Sequence, residues 1–147
     1  MNFWNESILV TCIIGWFVAQ FIKVVSVLVT DKKFDFKRFI GSGGMPSSHT
    51  SFVTSLATAV GIECGFMGAE FAISTVLALV VMYDAAGVRR AAGQQAQILN
   101  QLIEEWGTSD YKSNEKRLKE LLGHTPKEVF AGALLGILIA LIRHLWL

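Results

Sequence analysis

Charged residues are scarce in this sequence, because lysine, arginine, aspartate and glutamate make up only 17% of its 147 residues, against about 25% in an average soluble domain. The formal net charge is +1, and no basic stripe stands apart from the apolar segments, which argues against a nucleic-acid partner. The two cysteines, Cys12 and Cys64, have no Cys-x-x-Cys or histidine spacing. We therefore expect them to be small core or lipid-facing residues, not metal ligands or a disulfide.

Apolar residues are abundant. They account for 52% of the sequence, and the mean hydropathy is +0.48, values that indicate an integral membrane protein. The length leaves room for one domain, which we assign to 1–147. The first residues, MNFWNES, lack the basic start of a cleavable signal, so we interpret the apolar run behind them as a retained membrane span.

Four apolar segments approach the length of about 20 residues that a helix needs to cross a bilayer. The second is short and rich in small hydroxyl residues, and the third is followed by AAGQQAQILNQLIEEW, which can continue its helix out of the membrane. Gly132 and Gly136 give the fourth a small-x-x-x-small face that favours close helix contact and leaves a homo-oligomer open. The predicted spans are 8–29, 50–62, 69–85 and 129–146.

The basic residues of the loops predict the orientation of the chain. The first loop, 31–45, and the long loop, 87–127, both carry several lysines and arginines, whereas the turn IECGFMGAE carries none. Loops rich in lysine and arginine lie in the cytoplasm, so both termini are expected outside. Within the long loop, SNEKRLKELLG has leucines on one side and charges on the other, which predicts an amphipathic surface helix.

Three polar clusters then fall at helix ends on the cytoplasmic side, where they can converge on one site. They are the turn GGMPSSH, the segment 84–90 and the turn GHTPKE. A phosphoryl group needs fixed positive charge, hydroxyl or backbone donors and a helix N-terminus aimed at its oxygens. Displacing the leaving alcohol further needs a nucleophile and a proton donor. The residues that can supply these groups are Gly43, Gly44, Ser47, Ser48, His49, Arg89, Arg90 and His124.

Several of these residues also have a simpler structural interpretation. The two serines fit an N-cap behind a proline turn, and TPKE fits a capping box. The two arginines fit membrane-flanking anchors. Lys23, a lone charge within the first span, indicates a functional site by default but can also snorkel to lipid headgroups. Asp84 either orients one of the arginines or only neutralises it.

Two of the clusters carry a family resemblance. MPSSH followed by a helix, and GHTPKEVFAGALLG, resemble the second and third signature motifs of the type 2 phosphatidic acid phosphatase and vanadium haloperoxidase superfamily. With YDAAGVRRAAGQQA included, nearly the whole chain is similar to a divergent bacterial and plant branch, whose members are called acid phosphatase or vanadium haloperoxidase related. The resemblance implies a phosphatase site that vanadate or phosphate would occupy as inhibitor or product, with no cofactor.

The resemblance also implies catalytic roles. His124 would be the nucleophile that forms a phosphohistidine, and Glu128 would orient it from the position where the family has an aspartate. His49 would protonate the leaving group. The chain departs from the family pattern in the long stretch 91–123, which separates the third-motif arginine from its histidine.

Phosphate binding, in the same comparison, would fall to the second-motif serines Ser47 and Ser48 and to three basic side chains. Arg90, or Arg89, would correspond to the arginine that opens the third motif, and Lys23 would stand for the first-motif lysine. No Arg-Pro pair follows Lys23, which is a further departure from the family. Gly43, Gly44 and Asp84 are expected to support the site.

The sequence as a whole predicts an all-α integral membrane bundle of about four transmembrane helices with a cytoplasmic amphipathic insert. We expect a metal-independent phosphatase that acts on phosphatidic acid, phosphatidylglycerol phosphate or an isoprenoid phosphate. The expected location is a bacterial plasma membrane, or an organellar membrane in a plant, with the site facing the cytoplasm. Two alternatives remain: a relative that binds a lipid phosphate or a partner without turnover, and a vanadate-dependent haloperoxidase.

Overall fold

The computed structural model of the protein describes residues 8–31, 44–106 and 123–146, which are almost entirely helical. The predicted all-α class is confirmed for these residues. Gly43 and the part of the predicted amphipathic helix that falls within 113–122 lie outside them. The helices are α1 (Ile8–Asp31), α2 (Ser48–Cys64), α3 (Ala69–Tyr83), a π-helical turn (Asp84–Val88), α4 (Arg89–Trp106) and α5 (Pro126–Trp146).

Three helices of the described ranges are long and apolar enough to cross a membrane. They are α1, the continuous helix formed by α3, the π-turn and most of α4, and α5. Helix α2 packs against α1, α3 and α5 and has 17 residues, in keeping with the short second segment of the sequence. The protein is therefore an integral membrane bundle of helices.

The helix that begins with α3 is longer than a bilayer is thick. Its apolar candidate span, Ala69–Ile103, covers 35 residues, which corresponds to roughly 50 Å at 1.5 Å per residue. The hydrocarbon layer is about 30 Å thick, so this helix is longer than one crossing requires. The helical extension that the sequence predicts is present as α4, Arg89–Trp106.

Helix α2 lies at the centre of the bundle, and small side chains let its neighbours approach closely. Ser51 and Ser55 are fully buried. The hydroxyl of Ser51 donates to the carbonyl oxygen of Gly15 on α1 over 3.0 Å. A Cβ added at Gly15 would lie 2.8 Å from the hydroxyl of Ser55, closer than van der Waals contact allows. The polar composition of α2 thus serves close packing within the bundle.

The glycine pair of α5 makes the corresponding contact with α2. A Cβ added at Gly132 would overlap the carbonyl oxygen of Ser47, and one at Gly136 would overlap the hydroxyl of Thr54. The small-x-x-x-small face predicted from the sequence is therefore used within the chain. Homo-oligomerisation stays a prediction. The close approach brings the start of α2 and the start of α5 together at one end of the bundle.

Candidate active site

His124 occupies the turn that leads into α5, and its surroundings hold both its backbone and its ring. The side chain is 3% exposed. Its backbone N–H donates to the carbonyl oxygen of Ala85 over 2.9 Å, and its Nδ1 lies 3.1 Å from Oε2 of Glu128. A carboxylate accepts only, so this hydrogen bond assigns the proton to Nδ1 and leaves the lone pair on Nε2. His124 can therefore present Nε2 as a nucleophile.

Glu128 is also the capping residue of its own helix. The backbone N–H of Thr125 donates to Oε2 of Glu128 over 3.1 Å, and the N–H of Glu128 lies 3.4 Å from the Thr125 hydroxyl. This reciprocal pair is a capping box. The two interpretations of Glu128 that the sequence allows are thus realised together, because one carboxylate oxygen caps α5 and contacts the ring of His124.

The pKa of His124, which precedes α5 and lies outside the membrane-spanning helices, is lowered from its ordinary value. Burial is the main cause, because it disfavours the charged imidazolium. The hydrogen bond and charge of Glu128 act in the opposite direction, and the charges of Lys23 and Arg89 lower the pKa further. The net effect keeps the ring neutral, as a nucleophile requires.

A cavity of about 290 Å³ connects His124 with groups from two other helices. His49, in the first turn of α2, and Arg89, the first residue of α4, both line it. The rest of the wall is largely apolar. Two histidines and one arginine, distant in sequence, therefore face one space. The lining residues are His49, Val80, Val81, Asp84, Ala85, Arg89, Gly123 and His124.

Arg89 is held at the cavity by Asp84. Its Nε donates to Oδ2 of Asp84 over 2.6 Å, a pairing that fits both roles considered for Asp84, orientation of the arginine and neutralisation of its charge. Of the two arginines considered from the sequence, Arg89 lines the cavity among the described residues. Arg90 contributes backbone, since a Cβ added at Gly123 would overlap it.

Lys23 lies buried on α1 close to the same site. It is 4% exposed, and its aliphatic chain passes over Gly44, whose added Cβ would lie 3.2 Å from Cγ of Lys23. Its charge acts on Glu128 and on both cavity histidines. Gly44 has a φ of 94°, which favours glycine. Burial beside the site is the opposite of snorkelling to the lipid headgroups.

The two serines are fully buried at the start of α2. Ser47 is the N-cap, because its hydroxyl oxygen accepts from the N–H of Thr50 over 3.4 Å and from the hydroxyl of Thr50 over 3.0 Å. Its own N–H donates to the carbonyl oxygen of Glu128 over 3.0 Å. Ser47 therefore ties the second motif to the third, and a direct contact of either serine with phosphate stays a prediction.

Sequence reasoning missed the π-turn and the backbone contact of Ala85 with His124. The contact between Asp84 and Arg89 marks the π-turn, but the sequence left the partner of Asp84 open. Residues five apart do not share a face of an α-helix, whereas pairs three or four apart do. Sequence reasoning also missed the apolar wall formed by Val80 and Val81, because neither residue differs in type from its lipid-facing neighbours.

Comparison with known proteins identifies a family for the chain. The model of the Divergent PAP2 family matches residues 4–139 of the chain. The chain is also similar to the "Uncharacterized membrane protein YuiD" of Bacillus subtilis (strain 168), with 43% identity over 134 residues, which cover 84% of this chain and 85% of that protein. No solved structure matches.

Proposed function

Because the chain belongs to the Divergent PAP2 family, we propose that it is a metal-independent membrane phosphatase that hydrolyses a lipid phosphate through a phosphohistidine on His124. One observation carries the proposal: Glu128 engages Nδ1 of His124, which leaves the lone pair on Nε2, and His124 lines the same cavity as Arg89 and His49. Nucleophile, cationic phosphate ligand and proton donor are thus assigned to three side chains around one space.

The reaction proceeds in two displacements. Nε2 of His124 attacks phosphorus and the bond to the ester oxygen breaks, while protonated His49 gives its proton to that oxygen and the alcohol leaves. Neutral His49 then takes a proton from water as the water attacks the phosphohistidine. The phosphorus–nitrogen bond breaks, inorganic phosphate leaves, and both histidines return to their starting protonation states. Glu128 stabilises the positive charge that develops on His124.

Phosphate oxygens are bound by fixed positive charge and by backbone donors. Arg89 supplies the guanidinium at the cavity, and the buried Lys23 adds a second positive charge. The N-terminus of α2, which begins at Ser48 directly after the N-cap Ser47, offers amides and a favourable helix dipole to an anion. Arg89 and Lys23 supply the positive charge that a metal ion would otherwise bring to the phosphate. Within the described residues, no group of three or more His, Cys, Asp or Glu could hold a metal ion.

The substrate is a lipid, because the cavity belongs to a membrane bundle and part of its wall is apolar and faces outward. Val80 lines the cavity and is 59% exposed on α3, where lipid surrounds the protein. Phosphatidic acid, phosphatidylglycerol phosphate and isoprenoid phosphates share this combination of phosphate and apolar tail. From the positive-inside rule we expect the cavity at the cytoplasmic face of a bacterial plasma membrane, or of an organellar membrane in a plant.

A second candidate function is the binding of a lipid phosphate without turnover. The observation that favours it is the capping box of Glu128, since the start of α5 explains this carboxylate without a catalytic role. The two functions differ in one measurable way. Only the enzyme releases inorganic phosphate.

The test is phosphate release by the detergent-purified protein in EDTA, measured against a panel of lipid phosphates. We expect activity that His124→Ala and His49→Ala each abolish. His144→Ala is the matched control, because His144 is exposed near the far end of α5 and should leave activity unchanged. Folded protein that binds orthovanadate but releases no phosphate would favour the binding function instead.

A further inference from the structure

We propose that the π-turn Asp84–Val88 is a positioning element for the nucleophile, which it holds by giving the carbonyl of Ala85 to the backbone amide of His124. The inference rests on the proposed function in one respect, the role of His124 as nucleophile. In this proposal, the π-turn fixes the position of His124 next to Arg89.

The hydrogen bonds of the π-turn explain why Ala85 is available. In a regular α-helix the amide of Arg89 would donate to the carbonyl of Ala85, four residues earlier. Here the amide of Arg89 donates to the carbonyl of Asp84, five residues earlier. The carbonyl of Ala85 instead accepts from the N–H of His124 over 2.9 Å. Both partners are buried, so a separation would leave an unsatisfied buried amide.

The same turn brings Asp84 and Arg89 together. Five residues advance an α-helix by about 500°, which would place the two side chains about 140° apart. Their side chains nevertheless meet at 2.6 Å, because the wider π-turn takes up an extra residue. The π-turn therefore pairs Arg89 with Asp84 and also accepts the backbone hydrogen bond of His124.

Gly123 fits the His124 turn against this helix. A Cβ at Gly123 would overlap the backbone of Arg89 and Arg90, and its φ of 91° favours glycine. The two backbones are therefore in direct contact at the start of α4, immediately after the π-turn. Any displacement of one is transmitted to the other.

Deletion of Ala86 separates the two consequences of the π-turn. Removing one residue should return the turn to α geometry, with the flanking helices kept near their present phase. After the deletion, Arg90 follows Ala85 by four residues, so its amide donates to the carbonyl of Ala85 as in an α-helix. That carbonyl is then no longer available to His124. Asp84 and Arg89 become an (i, i+4) pair, a spacing that still allows them to meet.

We expect the deletion to lower kcat about 100-fold, as a misplacement of about 1 Å can do, with KM little changed because Arg89 keeps its partner. The second readout is the ¹⁵N NMR signal of the His124 ring, identified by its absence in His124→Ala. In the intact protein it should report a proton on Nδ1. In the deletion variant it should shift towards a mixture of the two tautomers.

Two further variants control the experiment. Gly87→Ala keeps the chain length, and its Cβ would meet nothing within 4 Å, so kcat and the NMR signal should not change. Gly123→Ala leaves the helix intact but pushes the His124 turn away from it, and should reproduce both effects of the deletion. If the deletion variant does not fold, Gly123→Ala decides the question.

The outcomes distinguish this inference from the proposed function. A folded deletion variant, or a folded Gly123→Ala, with the kcat and the His124 signal of the intact protein would overturn the role of the π-turn and leave the phosphatase proposal standing. An intact protein without activity would instead refute the phosphatase proposal. The NMR comparison would then still decide the π-turn, because the tautomer of His124 is measured without turnover.

Discussion

Oε2 of Glu128 lies 3.1 Å from Nδ1 of His124 and 3.1 Å from the backbone nitrogen of Thr125. One oxygen atom thus links the start of α5 to the orientation of the proposed nucleophile. Capping and catalysis need different properties of this side chain. The cap needs an acceptor, whereas the histidine needs a negative charge when its ring becomes positive.

Glu128→Gln should separate these two needs. Glutamine also serves in a capping box, so the free energy of unfolding should change little. The charge is lost, so kcat should fall by roughly two to four orders of magnitude. Glu128→Ala should lose the same activity and also about 1 kcal/mol of stability. Thermal unfolding and phosphate release of both variants check this, and a glutamine variant with full activity would contradict it.

The pH dependence of activity should follow the lowered pKa of His124. Since the nucleophile must be neutral, the acid limb of kcat/KM should lie below the ordinary histidine value of about 6.5. The proton donor His49 must be charged, and burial together with the charges of Arg89, His124 and Lys23 lowers its pKa. A second limb should therefore appear as pH rises through the lowered pKa of His49. Glu128 raises the pKa of His124 and Lys23 lowers it. The acid limb should therefore move to lower pH in Glu128→Gln and to higher pH in Lys23→Met. Rate profiles of the residual activity test the two opposite shifts.

The free energy of unfolding should also depend on pH through His124, and it should decrease as the solution becomes more acidic. Its pKa is lower in the folded than in the unfolded protein, so the unfolded chain binds the proton first as pH falls. The stabilisation is complete above about pH 6.5 and is lost as pH drops towards the folded pKa. In His124→Gln the free energy of unfolding, measured as a function of pH, should decrease less below about pH 6.5.

The outward apolar wall of the cavity should affect long lipid substrates selectively. Val80→Ser removes apolar contact worth about 1 kcal/mol, so KM for a long-chain phosphate should rise roughly 3- to 10-fold. A short water-soluble phosphate ester should be unaffected. Leu79→Ser is the control, because Leu79 is equally lipid-exposed, at 60% against 59% for Val80, but does not line the cavity. Equal effects on both esters would argue against a lipid tail at Val80.

The orientation of the bundle can be tested with the native cysteines. Cys64 is exposed at the end of α2, whereas Cys12 is buried on α1. With the cavity facing the cytoplasm, a membrane-impermeant maleimide should label Cys64 in intact cells. Cys64→Ser should abolish the labelling. Labelling that appears only after permeabilisation would place the cavity on the outer side.

Sequence reasoning found the helices and the polar side chains of the site because both leave local patterns. The histidine and arginine clusters sit at the ends of apolar segments, and the positive-inside rule places them on one side. The capping box of Glu128 was readable from TPKE. Each of these signals lies within a few consecutive residues.

The contacts between segments could not be read in this way. That Gly132 faces α2 within the same chain depends on how the helices pack. That Arg89 and not Arg90 lines the cavity depends on one extra residue in a helical turn. The contact of Ala85 with His124 involves two backbones, which carry no side-chain signature.

The hydroxyl-rich surface of α2 has a consequence for the biogenesis of the protein. More than half of the buried residues of α2 are serine or threonine. Such a helix gains little from lipid alone, so it would partition weakly into a bilayer by itself. Its hydroxyls find their acceptors in helix backbones, such as the Gly15 carbonyl that receives Ser51. We infer that α2 becomes stably inserted only with its neighbours in place. The site at its N-terminus would then be completed at the end of membrane assembly.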